Sequence, residues 1–356
     1  MGLSPGMRRI KCLLNKIGCR TFIMLGIAMA IAGCSRGGVR LGPMATPNPF
    51  ATATPTPFAP AELNSGFEAL RPAPIHNPDG TWAGFPGPSE ASAIEIPPPM
   101  PLIPVADGIL NVLILGSDTR PGFYGNRTDT IMIISLDTQN GIVRMISIPR
   151  DLYVYIPGWK INRINTADQH GGPDIVSMTI LYNLGIEVHH WARLSFNGFI
   201  SAINTLGGID IDVPRTIVDE CDERTVRYSA GLNHMNGYTA LCYARVRKAS
   251  SDFARTVRQQ QVIRAVFNKV FSIGGIAKAP RLFAQFSDMV ESDMNIGDIL
   301  PLVPLATTVA RDPSRIAGYT IDLTMVTSWR VPVTGAAVLL PNRDAIQSAL
   351  TTIFRQ

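Results

Sequence analysis

The chain has 356 residues, 46% of them hydrophobic and 17% charged, enough for about two domains and one large core. Its 32 Lys and Arg outnumber its 27 Asp and Glu, but seven of the basic residues lie in 1–40, which hold no acid, while residues 107–356 hold 24 basic and 22 acidic side chains. The basic excess belongs to the N-terminus and not to the folded part, which excludes a general nucleic-acid binder.

Residues 1–33 read as an export signal. A basic stretch up to Arg20 leads into an apolar run over 21–33, 13 residues long, against the roughly 20 needed to cross a bilayer. The run ends Ile31-Ala32-Gly33-Cys34, which resembles the lipobox of bacterial lipoproteins, with Cys34 as the acylated residue. Cleavage there removes Arg8, Arg9, Lys11, Lys16 and Arg20 and brings the net charge of +5 to zero. The alternative is an uncleaved single N-terminal membrane anchor. Either reading puts the remainder outside the cytoplasm.

Residues 35–106 read as an extracytoplasmic linker, because 41–106 alone contain 16 of the 28 prolines and such composition favours extended chain over a core. The globular part is predicted over 107–356. Residues 111–116 form an apolar run expected as a buried strand, followed by strands over 130–136 and 142–148 joined by a turn at Asn140-Gly141, an antiparallel hairpin. A helix is predicted over 173–184, a strand over 188–196, a short helix over 197–206 and a strand over 209–213. A helix begins near 236, the longest helical pattern runs over 252–272, and helices near 280–290, 297–310 and 343–355 with a strand near 316–323 complete the chain. This interleaving predicts one α/β domain with a mixed sheet covered on both faces. Cys221 and Cys242 are the two cysteines of the folded part, a disulfide candidate in an oxidising compartment, with a pair of buried thiols as the alternative.

No phosphate-binding glycine loop, nucleophile elbow or zinc spacing occurs. What stands out is a set of Arg and Asp residues at element ends: Asp118 and Arg120 after the first strand, Arg127 and Asp129 before the second, Arg150 after the third, then Arg245, Arg247, Asp252, Arg255 and Gln259 around the start of the long helix. Residues 107–356 use 20 Arg against 4 Lys, a bias that fits the planar, forked recognition of phosphate oxygens. Asp118 and Asp129 suit Mg²⁺, which takes one or two carboxylates together with phosphate oxygens. Singly, each has a plainer account: Asp118 as a turn residue, Asp252 as a helix N-cap, Arg255 and Gln259 as a solvated face, Asp129 with Arg150 as a cross-strand ion pair.

Taken in order, the motifs carry a resemblance. Asn111–Asp118, Arg127-Thr128-Asp129-Thr130, Ser147-Ile148-Pro149-Arg150-Asp151, Lys160-Ile161-Asn162, Leu206-Gly207-Gly208-Ile209-Asp210, Met235-Asn236-Gly237, Tyr243-Ala244-Arg245-Val246-Arg247 and Asp252-Phe253-Ala254-Arg255 with Arg258-Gln259-Gln260 resemble the LytR–CpsA–Psr family of bacterial cell-wall enzymes over about 110–270. The resemblance implies a three-layer α-β-α sandwich that transfers a glycan polymer or its primer from a polyprenyl-pyrophosphate carrier to peptidoglycan, with Mg²⁺ (or Mn²⁺). It implies that Asp118 and Asp129 bind the metal. Arg120, Arg127, Arg150, Arg245, Arg247 and Gln259 then surround the pyrophosphate, with Arg150, Asp252 and Arg255 in the reaction and Asp252 as the first choice of base. The competing functions are a polyprenyl-pyrophosphate hydrolase built on the same site, and a non-enzymatic regulator that binds envelope polymers or lipids.

Overall fold

The computed structural model describes residues 84–118, 127–246, 252–272 and 279–355. In chain order its elements begin with β1 (Ile109–Ser117), β2 (Thr128–Asp137), β3 (Ile142–Ser147), β4 (Tyr153–Tyr155), β5 (Ile161–Arg163), α1 (Gly172–Leu184), β6 (His190–Ser195) and α2 (Phe196–Thr205). Next come β7 (Ile209–Val213), β8 (Ile217–Cys221), β9 (Arg224–Tyr228), β10 (Gly231–Met235), α3 (Gly237–Arg245), α4 (Asp252–Ser272) and α5 (Ala279–Phe286). The chain ends with β11 (Glu291–Ser292), α6 (Ile296–Ile299), α7 (Val303–Arg311), β12 (Ile316–Thr320), β13 (Val326–Arg330), β14 (Ala337–Pro341) and α8 (Arg343–Arg355).

The main sheet has the order β11-β6-β1-β2-β3-β12. β1, β2 and β3 are antiparallel neighbours, while β1–β6 and β3–β12 are parallel. The sheet is therefore mixed, as expected. Side chains alternate across a strand, and here the alternation separates two cores. Leu113, Leu115, Ile131, Ile133 and Ile146 pack with Val176, Ile180 and Leu184 of α1 and with Ile346, Leu350 and Phe354 of α8. Met132, Val143 and Met145, from the opposite face, pack with Leu305 and Val309 of α7 and with Ile263 and Phe267 of α4. Helices cover both faces, which makes the three-layer α-β-α sandwich. Each fully buried aliphatic side chain in these layers stabilises the fold by about 1.5–3 kcal/mol.

The expected helix over 297–310 is interrupted. Pro301 and Pro304 remove the backbone donors a continuous helix needs, and the segment divides into α6, a 3₁₀ turn at Leu300–Leu302, and α7.

The domain also begins earlier than the linker reading allowed. From residue 84 the proline-rich chain lies along α1 and β4. Tyr155 and Tyr182 donate their hydroxyls to the Pro86 and Pro97 carbonyls at 2.6 and 2.7 Å. The Met100 and Ile103 amides donate to the Tyr182 and Gly185 carbonyls at 2.8 Å each, and both side chains are buried. Prolines lack the amide that would need a sheet partner, but their carbonyls still accept, and tyrosines supply the donors. Gly185, at φ +68 beyond α1, makes the approach possible, since a Cβ there would stand 2.2 Å from the Pro101 carbonyl oxygen.

Candidate active site

The C-terminal end of β1, the start of β2 and the chain after β3 meet on one side of the sheet. Asp118, Arg127, Asp129 and Arg150 all line a single cavity of about 910 Å³. The antiparallel β2–β3 pairing returns the chain after β3 beside the start of β2, so Arg150 Nη1 donates to Asp129 Oδ1 at 2.5 Å. Arg150 Nε also lies 3.5 Å from Asp151 Oδ2, and Asp151 Oδ1 lies 3.5 Å from Arg163 Nη1. Four alternating charges are thereby linked, and each guanidinium keeps a defined position beside a carboxylate.

The opposite wall comes from α3 and α4. α3 is capped by Asn236, whose side chain accepts from the Thr239 amide at 3.0 Å. Gly237 lets α3 pass close to α2, because a Cβ would stand 2.2 Å from the Ile200 carbonyl oxygen. The helix delivers Arg245 at its last turn. There its guanidinium lies over the Phe196 ring, 4.6 Å from the centroid, and 3.4 Å from Asp222 Oδ1. Asp222 sits at the two-residue tip of the β8–β9 hairpin, where it and Glu223 take positive φ values of 46 and 64, the twist tight hairpins favour. A disulfide between Cys221 and Cys242, with Cα atoms 5.8 Å apart, ties that tip to α3.

On α4 neighbouring residues divide the work by direction. Arg255 and Gln259 line the cavity. Arg258 instead donates to the Val246 carbonyl at 2.6 Å, and Gln260 donates to Ser147 Oγ and the Tyr319 carbonyl at 2.9 Å each. Those three bonds hold α4 to the end of α3 and to the sheet. Arg255 is 4% exposed, so its charge belongs to the interior of the site and not to a solvated face. Of the expected residues, Cys34, Arg120 and Arg247 lie outside the described residues. Asp252 is the first residue of α4, and its side chain lies outside them too.

Beyond this charged mouth the cavity is apolar. Ile114, Leu194, Phe199, Ile203, Val266 and Phe286 are among the side chains that line it. Sequence reading identified none of these, because cavity-lining aliphatics look like core. It also gave no role to Asp151, Arg163, Asn165 or the acids Asp219, Glu220 and Asp222, all of which line the cavity. The positions of Arg163 and Asn165, just after the Lys160-Ile161-Asn162 motif, were the available signal.

Among the described lining residues five guanidiniums face six carboxylates, a balance that alone would not attract a doubly charged anion. Asn165 is 4% exposed, and its Oδ1 is buried with no hydrogen-bond partner among the described residues. Hard carboxylate and amide oxygens of this kind suit Mg²⁺, which keeps water and substrate phosphate oxygens for its remaining positions. The cluster of Cys221, Asp222 and Cys242 is not a metal site, because both sulfurs are in the disulfide.

The fold and site define the class: an α-β-α domain with an amphiphilic cavity, lined in one part by Arg, Asp and Glu and in the other by aliphatic and aromatic side chains. The chain belongs to the LytR_cpsA_psr family, whose model matches residues 90–352. Over 184 residues it is 34% identical to the polyisoprenyl-teichoic acid–peptidoglycan teichoic acid transferase TagV of Bacillus subtilis (strain 168), covering 49% of this chain and 47% of that protein. Over 179 residues it is 35% identical to the regulatory protein MsrR of Staphylococcus aureus (strain COL), covering 49% and 54%. The chain thus spans about half the length of these curated relatives. The crystal structure of B. subtilis TagV superposes with a TM-score of 0.60 at 28% identity, over 70% of this chain and 98% of that one.

Proposed function

We propose that this protein is an extracytoplasmic transferase that moves a glycan polymer or its primer from a polyprenyl-pyrophosphate carrier to a hydroxyl of peptidoglycan. The observation that carries the reading is the joining, in one cavity, of a guanidinium and carboxylate mouth to an apolar interior. The name of TagV, a teichoic acid transferase between a polyisoprenyl carrier and peptidoglycan, agrees with it.

In the reaction an acceptor hydroxyl oxygen bonds to the sugar-side phosphorus, the bond from that phosphorus to the bridging oxygen breaks, and polyprenyl phosphate leaves. Negative charge grows on the phosphate oxygens, and fixed guanidiniums stabilise it without reorganising. Arg127, Arg150, Arg245 and Arg255 fill that role, with Gln259 as a neutral donor and with Arg120 and Arg247 assigned to it by their motifs. Asp129 and Asp151 hold Arg150, and Asp222 holds Arg245. Asp118 and Asp129 would hold Mg²⁺ or Mn²⁺, which supplies further charge neutralisation when bound. The hydroxyl proton is assigned to Asp252, one helical turn from Arg255. Cys34 is assigned as the lipid anchor, with a single N-terminal transmembrane anchor as the alternative. Among the described residues no helix is long and apolar enough to cross a membrane.

The test is native mass spectrometry of the full chain purified from membranes, beside an Arg150→Ala plus Arg245→Ala variant. Wild type is expected to retain a polyprenyl phosphate or pyrophosphate that the variant lacks. Wild type without lipid, even after addition of a polyprenyl pyrophosphate, would overturn the reading. In a transfer assay, polymer released with no acceptor present would replace transferase by hydrolase.

A further inference from the structure

The chain that precedes β1 is bound to the segment that carries part of the charged mouth. Residues 85–92 run beside the turn between β4 and β5. The Pro86 carbonyl accepts from the Tyr155 hydroxyl at 2.6 Å and from the Gly158 amide at 3.1 Å. The Trp159 carbonyl accepts from the Ser89 and Glu90 amides at 3.0 and 3.3 Å. Phe85 packs edge-on against Tyr182 of α1, with ring centroids 4.8 Å apart.

Two side chains complete the grip. The Glu90 carboxylate accepts from Trp159 Nε1 at 2.8 Å and from Lys160 Nζ at 2.6 Å. Ser92 Oγ accepts from the amide of Ile161, the first residue of β5, at 2.9 Å. β4 and β5 form a two-stranded sheet, so the outward amide of Ile161 needs an acceptor from elsewhere. Ser92 supplies it.

The gripped segment leads straight into the site. β5 ends at Arg163, which lines the large cavity. The 3₁₀ helix Ile164–His170 follows, and its last residue folds back on Trp159: the two rings stack with centroids 3.6 Å apart. Trp159 is therefore held on its indole nitrogen by Glu90 and on its face by His170. Residues 159–170 make a loop closed at its neck, with Arg163 inside it and the neck tied to the preceding chain. Arg163 Nη1 stands 3.5 Å from Asp151 Oδ1, beyond the roughly 2.7–2.9 Å of a charge-assisted hydrogen bond. That contact alone does not fix the guanidinium, so its place depends on the backbone of β5.

We infer that residues 86–92 are a positioning strap for the site, in which Glu90 and Ser92, acting through Trp159 and Ile161, hold β5 so that Arg163 stands in the charged mouth. The inference rests on the transferase reading and adds that the chain leading into the domain belongs to the framework of the site. Glu90 and Ser92 are outside the cavity lining and act through other residues. Fixed charges stabilise a transition state only where they are held in place, and a misplacement of about 1 Å can cost about 10²-fold in rate.

The experiment uses the full chain in detergent and compares wild type, Glu90→Ala plus Ser92→Ala, Arg163→Ala, and all three substitutions together. Two quantities are read: transfer of membrane lipid-linked glycan to peptidoglycan, and binding of inorganic pyrophosphate with Mg²⁺. The strap variant is expected to lower transfer about tenfold, part of the range that misplacement can cost, and to weaken pyrophosphate binding. Its melting temperature should change little, because Glu90 is exposed and Ser92 half-buried. In the Arg163→Ala background the strap substitutions should cost nothing further, since residues acting as one unit are not additive. Ser92→Thr, which keeps a hydroxyl acceptor, should behave as wild type. A strap variant equal to wild type in both quantities overturns the inference. So does a full further loss in the Arg163→Ala background, which would mean a general loosening of the fold. Pyrophosphate binding that depends on the strap and on Arg163, in a wild type that transfers no polymer, defeats the transferase reading and leaves the strap standing. Wild type that neither binds pyrophosphate nor transfers polymer overturns both.

Discussion

The β2–β3 hairpin carries an Asp–Arg pair at each end, and the two pairs have different work. At the turn, Arg144 Nη1 lies 3.3 Å from Asp137 Oδ2, and the two side chains are 2% and 3% exposed. At the open end Arg150 and Asp129 are 19% and 31% exposed and line the large cavity. The first pair is sealed inside the fold. Its charges have each other and Asn140, and a ligand has no route to them. The second stands where a ligand's charge can compete for the guanidinium. Burial separates the structural pair from the functional one, although residue type and position relative to the strands are nearly the same.

The largest effect is expected at the sealed end. Asp137→Asn leaves Arg144 buried without its counter-charge, which costs about 3–5 kcal/mol of stability at neutral pH. Burial pushes the Asp137 carboxyl up, but hydrogen bonds from Asn140 and Arg144 outweigh it and hold the group below the ordinary carboxylate value. A carboxylate depressed in the folded state contributes stability above its unfolded value, about 3.9, and loses it as pH falls through the lower folded value. Denaturant unfolding of wild type and Asp137→Asn should therefore differ most near pH 7 and converge in acid below about pH 3.9. A difference that persists unchanged at pH 2 would show that the carboxylate charge is not its source.

At the open end the loss should appear in turnover. Arg150→Ala removes one fixed donor from the developing phosphate charge, a change that typically costs about 10²–10³ in rate. Its partly exposed setting holds the stability change within about 1 kcal/mol. If Arg150→Ala unfolded as readily as Asp137→Asn, the proposed division between the two ends would fail. Chelation of divalent cations should lower transfer in wild type, with Mg²⁺ or Mn²⁺ restoring it.

This contrast also marks what was legible in the sequence. Strands β1 to β3 could be read from their apolar runs and the Asn140-Gly141 turn, and the facing of Asp129 and Arg150 follows from that hairpin. The motifs then picked out seven residues that line the cavity: Asp118, Arg127, Asp129, Arg150, Arg245, Arg255 and Gln259. Strands β4 and β5 escaped because three residues carry too little periodicity, and β8 to β10 because polar residues such as Asp219, Glu220, Arg224, Arg227, Asn233 and His234 break up their apolar pattern. So did the docking of 84–106, since a proline-rich chain lacks an apolar repeat and binds here through scattered main-chain hydrogen bonds and two buried side chains, Met100 and Ile103. The role of Asp222 was hidden for a different reason. It depends on a hairpin tip and a disulfide that place it beside Arg245, 23 residues away in sequence.

That disulfide offers an intermediate test. Cys221→Ser with Cys242→Ser frees a loop of sequence separation 21 and should cost about 3 kcal/mol of stability. Transfer measured well below the new melting temperature should also fall, as the tip carrying Asp222 no longer holds Arg245 in place. Asp222→Asn, with the disulfide intact, should reproduce the loss of transfer without most of the loss of stability. Normal transfer in Asp222→Asn would reduce the bridge to a stabilising tie.

The smallest effect on stability is expected where the two ends of the site are most unlike. Ala202 lies on α2 and lines the cavity with Ile203 and Leu206. A sealed core has no room for added methylenes and loses about 1–3 kcal/mol when overpacked. An unfilled cavity has room, so Ala202→Leu should leave the melting temperature nearly unchanged. The added side chain nevertheless occupies volume meant for hydrocarbon, so retention of the polyprenyl lipid should fall while binding of inorganic pyrophosphate at the mouth persists. A variant that keeps its lipid at wild-type level would show that the tail lies elsewhere, and the apolar interior would then need another occupant. Loss of both ligands together would instead mean that mouth and interior do not act as separable halves of one site.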